Sequence, residues 1–105
     1  MDWLRYIENS QHITIQNAER GGELRIPIGE SYILADGWCE ATNTIFEFHG
    51  SYWHGNPEIY APEEMNTKVK KTFGELYQRT IDREELIRNL GFNLVVIWES
   101  DWDNN

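Results

Sequence analysis

One cysteine, three prolines and nine basic residues are all that this chain of 105 residues carries of those types. A lone cysteine, Cys39, forms no internal disulfide, which points to a reducing, intracellular setting, whether cytoplasm, nucleoid or nucleus. The first residues lack a basic stretch followed by an apolar one, so no secretory signal is expected. No apolar run is long enough to span a bilayer. Against the nine Lys and Arg stand 18 Asp and Glu, a net charge of -9. That balance argues against a stand-alone nucleic-acid binder, which needs a basic face to displace counterions from phosphates.

What is present is a core. Hydrophobic residues make up 40% of the chain and aromatics 13%, enough for one domain over 1–105. A domain this small buries a modest share of its surface and is modestly stable. Residues 2–10 read as a helix, with Trp3, Leu4 and Ile7 on one stripe and Asp2 at its start. Residues 12–16 read as a short extended piece. Leu24, Ile26 and Ile28 alternate along a strand at 23–28, a second strand runs over 32–39, and a turn at 41–44 returns the chain into a strand ending at His49. Residues 50–66 read as a long irregular loop, a length often associated with function. Thr72-Phe73-Gly74-Glu75 fits a capping box, opening a helix that Gly91 stops. The apolar run Leu94-Val95-Val96-Ile97 predicts a strand buried on both faces. A last strand reached through a helix lies parallel to the strand before it. The order is thus α-β-β-β-α-β, an α/β fold with a mixed sheet flanked by helices.

The chemistry concentrates at Asp36 and over Glu47-Phe48-His49. Side chains alternate along a strand, so Glu47 and His49 share a face and Phe46 and Phe48 take the other. The turn at 41–44 places Asp36 near the level of His49. A carboxylate in the otherwise apolar run Tyr32-Ile33-Leu34-Ala35 is costly without a purpose, and Gly37 and Gly50 permit close backbone approach. A hard divalent ion takes oxygen ligands, which Asp36, Glu47 and the Phe48 carbonyl supply. Such an ion acidifies a bound water and offsets phosphate charge, and His49 is placed to move the proton. A Glu and a His two apart on a strand also occur simply as a solvent face. A zinc site on His49 and His54 lacks thiolates and the usual spacing.

Asp36 with Glu47-Phe48-His49 resembles the D…ExK signature of the PD-(D/E)xK nuclease superfamily, with His for Lys. Phe48-His49-Gly50-Ser51-Tyr52-Trp53-His54 resembles the active-site segment of the very-short-patch-repair endonucleases and of the related EDxHD-type homing endonucleases. Leu90-Gly91-Phe92 leading to Val96-Ile97-Trp98-Glu99 fits the same pattern. The resemblance runs from about Asp36 to Glu99 and is dense only at its two ends. It implies a restriction-endonuclease-like core and a Mg²⁺-dependent DNA endonuclease domain, nicking or homing-type, with Mn²⁺ able to substitute. Asp36, Glu47 and the Phe48 carbonyl are then metal ligands, and His49 and His54 act around the water and the phosphate. Tyr52 and Trp53 match aromatics that wedge between base pairs. The family's helix glutamate corresponds to Glu8, and its final acid aligns near Thr80, with Asp82 two positions on and on another face.

The chain departs from the repair enzymes at Ser51, where a zinc-ligand cysteine would fall, so no structural zinc is expected. The expected partner is double-stranded DNA, with Lys68, Lys70, Lys71 and Arg79 as local phosphate contacts. Given the acidity of the chain, a separate DNA-binding region or partner is expected to help deliver it. The competing reading is a non-catalytic nucleic-acid- or protein-binding module that retains the nuclease fold.

Overall fold

The computed structural model describes residues 2–103. They form an α/β arrangement of helices and small sheets, and they divide into two units. The first comprises residues up to Phe48 together with Phe92–Val96; the second comprises His49–Gly91 and the residues from Ile97 on. Among the described residues no helix is long and apolar enough to cross a membrane.

In the first unit, helix α1 (Asp2–Gln11) buries Trp3, Leu4, Ile7 and Glu8. The first three are the stripe expected from helical spacing; the fourth is a carboxylate. Asp2 lies in the first turn of the helix, so its charge faces the positive end of the helix dipole. Residues 12–16 do not form a strand. Only Gln16 pairs, exchanging both backbone bonds with Trp38 (2.8 and 2.9 Å), while Ile15 is fully buried in the core.

Strands β1 (Leu24–Ile28) and β2 (Ser31–Ala35) make a two-stranded antiparallel hairpin, with Ile28 opposite Ser31. Its tip needs Gly29, whose φ is 57°. The single strand expected at 32–39 is in fact broken at Asp36. The Asp36 N–H goes to the Glu47 carboxylate (3.2 Å) instead of a neighbouring strand, so the ladder stops and β3 (Gly37–Cys39) restarts in another sheet. The order of that sheet is β3, then β4 (Thr44–His49), then β7 (Asn93–Trp98). β3 and β4 are antiparallel. The Asn93 N–H donates to the Asn43 carbonyl (3.0 Å), which puts the starts of β7 and β4 at one end. The two are therefore parallel and the sheet is mixed, as a helical crossover requires.

Position in the sheet corrects one expectation. The strand covered on both faces is β4, the central one, with Ile45 at 0% and Phe46 and Glu47 at 2% exposure. β7 lies at the edge, Val95 is 39% exposed, and its apolar run is only half covered. Gly37 explains itself by packing: a Cβ there would meet Ile15 Cγ2 and Leu4 Cδ2, each at 2.8 Å.

In the second unit, the segment expected to be irregular opens with a one-turn helix, α2 (Ser51–His54), between Gly50 and a left-handed Gly55. A short hairpin follows, β5 (Met65–Asn66) with β6 (Lys71–Thr72). The long helix α3 (Phe73–Asn89) begins where the capping box places it: the Thr72 hydroxyl accepts from the Glu75 N–H at 3.1 Å. A short helix, α4 (Glu99–Asp103), follows β7. Asn56 is 2% exposed, and its amide donates to the Ser51 and Ser100 hydroxyls (3.1 and 3.0 Å), tying α2 to α4.

Candidate functional site

Two groups of polar side chains carry the candidate chemistry, one in each unit. The first is built at the bend between β2 and β3. Asp36 and Glu47 hold each other through the backbone: the Asp36 N–H donates to Glu47 Oε2 (3.2 Å), and the Phe48 N–H donates to Asp36 Oδ2 (2.9 Å). Glu47 is 2% exposed and Asp36 is half-buried. The register corrects the expected level of Asp36. Residues 40–43, a 3-10 turn capped by left-handed Asn43, make the connection, so Cys39 faces Thr44 and Gly37 faces Phe46. Asp36 thus stands at Glu47–Phe48, earlier along β4 than His49, because the turn begins one residue earlier than its polar composition suggests.

The donors suit a hard divalent cation. Mg²⁺ is bound through one or two carboxylates and keeps several waters. Asp36 and Glu47 are two carboxylates with orientations set by backbone donors, and Phe48 adds a carbonyl oxygen. A carboxylate offers about four lone-pair directions, so accepting one N–H is compatible with ligation. Among the described residues no three His, Cys, Asp or Glu side chains converge into an all-protein cage, and an ion that retains its waters does not require one.

The second group centres on the imidazoles. His49, 2% exposed, places Nε2 at 3.2 Å from Glu84 Oε2, so the ring donates that N–H to the carboxylate. Its ring lies 4.5 Å from that of His54 and 5.1 Å, edge-on, from that of Trp98. His54 Nδ1 is 3.1 Å from the Thr80 hydroxyl, which is itself 3.0 Å from the Leu76 carbonyl. With the hydroxyl proton directed to that carbonyl, in the usual helix back-bond, His54 Nδ1–H is the donor and Nε2 the acceptor. Burial, and then the positive charges of His49 and Arg83, lower the His54 pKa from 6.5 to about 4. His54 is therefore neutral at pH 7, a hydrogen-bonding group and not a cation.

That shift has a measurable sign. Above pH 6.5 His54 is neutral whether the chain is folded or unfolded. Between pH 6.5 and about 4 only the unfolded chain takes up the proton, so stability falls as the pH falls. Below about 4 both states are protonated and the loss stops. Urea denaturation across this window is expected to show a smaller acid loss for His54→Gln than for wild type; equal slopes would contradict the shift.

Glu84 was not singled out by sequence reasoning. The available signal was its spacing: four residues after Thr80, it shares a face of α3 with it. Asp82 lies on another face, exposed, and accepts from the Gln78 amide (2.8 Å). Thr80, 4% exposed, thus serves His54, and the acid of this helix serves His49. Arg88 Nη1 stands 3.7 Å from the other Glu84 oxygen.

Glu8 has a definite place of its own. One oxygen, Oε2, accepts from the buried Ile15 N–H and from Arg20 Nη1, both at 2.7 Å. Arg20 is 60% exposed, so the ion pair itself contributes little, and the backbone bond carries the effect. Glu8→Ala orphans a buried N–H and is expected to cost about 1–3 kcal/mol in urea denaturation, with Glu8→Gln recovering most of it. A loss under about 0.5 kcal/mol for Glu8→Ala would contradict this role.

The aromatic pair divides. Tyr52 is half-buried, with the rings of Tyr60 and Phe73 at 5.9 and 5.6 Å, so it packs within the second unit. Trp53 is 55% exposed. Lys68, Lys70 and Lys71 lie in the β5–β6 hairpin. No family model, no curated protein and no solved structure matches the chain.

Proposed function

We propose that this chain is a metal-dependent endodeoxyribonuclease domain, with a restriction-endonuclease-like core of the EDxHD type, that hydrolyses a DNA phosphodiester to a phosphate monoester and an alcohol. The observation that carries the reading is the interlocked carboxylate pair, Asp36 and Glu47, each oriented by a backbone N–H next to the Phe48 carbonyl. Groups that must hold an ion without rearranging need such support. Asp36, Glu47 and the Phe48 carbonyl would hold Mg²⁺ or Mn²⁺, and the ion when bound supplies an acidified water and charge to offset the phosphate.

The remaining roles belong to the chain's own side chains. β4 carries Glu47, the Phe48 carbonyl and His49 within three consecutive residues. His49 moves the proton, either taking it from the attacking water or giving it to the leaving oxygen. Glu84, hydrogen-bonded to Nε2, holds the ring and stabilises its protonated form, as an orienting carboxylate does for a histidine base. His54, neutral, offers hydrogen bonds without adding charge. Exposed Trp53 is the group available to insert between bases.

Supercoiled plasmid incubated with the protein is expected to be nicked with Mg²⁺ or Mn²⁺ and not in EDTA. Millimolar metal is also expected to raise Tm, because a ligand of the native state stabilises it. Absence of both nicking and a metal-induced Tm rise would sink the reading in favour of a non-catalytic binding module.

A further inference from the structure

The densest positive charge of the chain lies in one short segment of the sequence. All of its lysines, Lys68, Lys70 and Lys71, fall within four residues, and no Asp or Glu occurs from Met65 to Thr72. Met65 pairs with Thr72 and Asn66 with Lys71, so residues 67–70 are the turn of a small hairpin. Lys68, Val69 and Lys70 are exposed and Lys71 is half-buried.

The turn is built from inside. Asn66 is 0% exposed. Its Oδ1 accepts from the Lys68 N–H (3.0 Å) and the Val69 N–H (3.3 Å), and its carbonyl accepts from the Lys70 N–H (2.8 Å). Its amide donates to the Tyr52 carbonyl (3.1 Å). The lysines are therefore presented on a backbone held by four hydrogen bonds, which reduces the ordering cost of binding.

Lys70 is the informative residue. Its φ is 59°, in the left-handed region that disfavours any residue with a Cβ. Elsewhere the described residues meet that geometry with Gly21, Gly22, Gly29, Gly55 and Gly91, with Asn43, and with His12 at φ 55°. Lys70 thus carries a Cβ where the backbone favours glycine, and its exposed ammonium group adds to the charge of the turn.

We propose that the Asn66–Lys71 turn is a DNA-docking element that grips phosphates through Lys68, Lys70 and Lys71, independently of base sequence. The identity of the ligand as DNA rests on the nuclease reading above. Lysine acts as a point charge without the planar fork that reads base edges, and its contribution comes from counterion release. The turn thus supplies local affinity that the net charge of -9 alone argues against.

The test is fluorescence anisotropy with two short duplexes of unrelated sequence, in EDTA to prevent cleavage, across a salt series. Both duplexes are expected to bind equally. Lys70→Gly is expected to keep or raise Tm while reducing the salt slope by about 1. The triple Lys→Gln variant is expected to reduce it by about 3. Wild-type slopes in both variants, or no binding of duplex by the wild type at low salt, would overturn the proposal. The two readings fail separately. A wild type that binds through the lysines but neither nicks nor gains Tm with metal removes the nuclease and leaves the docking turn; a triple variant that binds and nicks like wild type removes the docking turn and leaves the nuclease.

Discussion

Gly55→Ala is expected to lower the stability of the second unit strongly. Gly55 caps α2 at φ 66°, its N–H returning to the Ser51 carbonyl. An added Cβ would run into the Phe73 carbonyl oxygen and lie 2.9 Å from the Tyr77 nitrogen. Both are backbone atoms of α3, so the clash is not relieved by a side-chain rotation. Overpacking costs about 1–3 kcal/mol, and a Cβ in the left-handed region adds about 1–2 kcal/mol. A sum of roughly 2–5 kcal/mol is a large part of the 5–15 kcal/mol that a domain of this kind holds. At about 4–8 °C per kcal/mol for a domain near this size, Tm falls by about 8 °C or more. Gly29→Ala is the matched control. It has a similar φ of 57° but nothing within 4 Å of the added Cβ, so only the conformational term applies. Equal losses for the two variants in thermal and urea melts would show that the approach of α2 to α3 is not what Gly55 secures.

Asp36→Asn is expected to leave the fold intact and lower plasmid nicking by about 10³-fold, the scale of losing one preorganised electrostatic contact at a reacting phosphate. The amide oxygen of the variant still accepts the Phe48 N–H that Asp36 Oδ2 accepts at 2.9 Å. Loss of the charge on that bond costs only about 1 kcal/mol of stability. The negative charge that would hold the ion is gone. Two readouts therefore move together, the rate of open-circle formation and the metal-induced rise in Tm, while Tm without metal shifts little. A variant that nicks within tenfold of wild type would remove Asp36 from the proposed chemistry.

Much of the architecture was legible in the residues. The α1 stripe, the β1 alternation and the Thr72 capping box are local signals, because the interactions that make them lie within a turn or two of the chain. The break at Asp36 was not legible. Its cause is a carboxylate eleven residues away taking the Asp36 N–H, and no local propensity contains that contact. The apolar run of β7 illustrates the converse: composition reports that a strand is apolar, and only its place at the edge of the sheet leaves Val95 exposed. For the candidate site, motif spacing singled out Asp36, Glu47, His49 and His54. The partner of His49 was missed because Glu84 is 35 residues away, and helical surfaces carry many glutamates.

By itself, then, the sequence determined the helices α1 and α3, the alternation of β1, the acidic charge and which residues are chemically equipped. Periodicity, capping and side-chain identity are properties of the chain read locally. Tertiary structure alone decided that Asp36 stands level with Glu47 and Phe48, that Glu84 and not Asp82 meets His49, and that burial keeps His54 neutral. Each depends on strand register, helix phase or exclusion of water, which exist only once distant segments have packed. The lysine at φ 59° belongs to both: sequence supplies the charge, and the folded turn shows that the backbone there favours glycine.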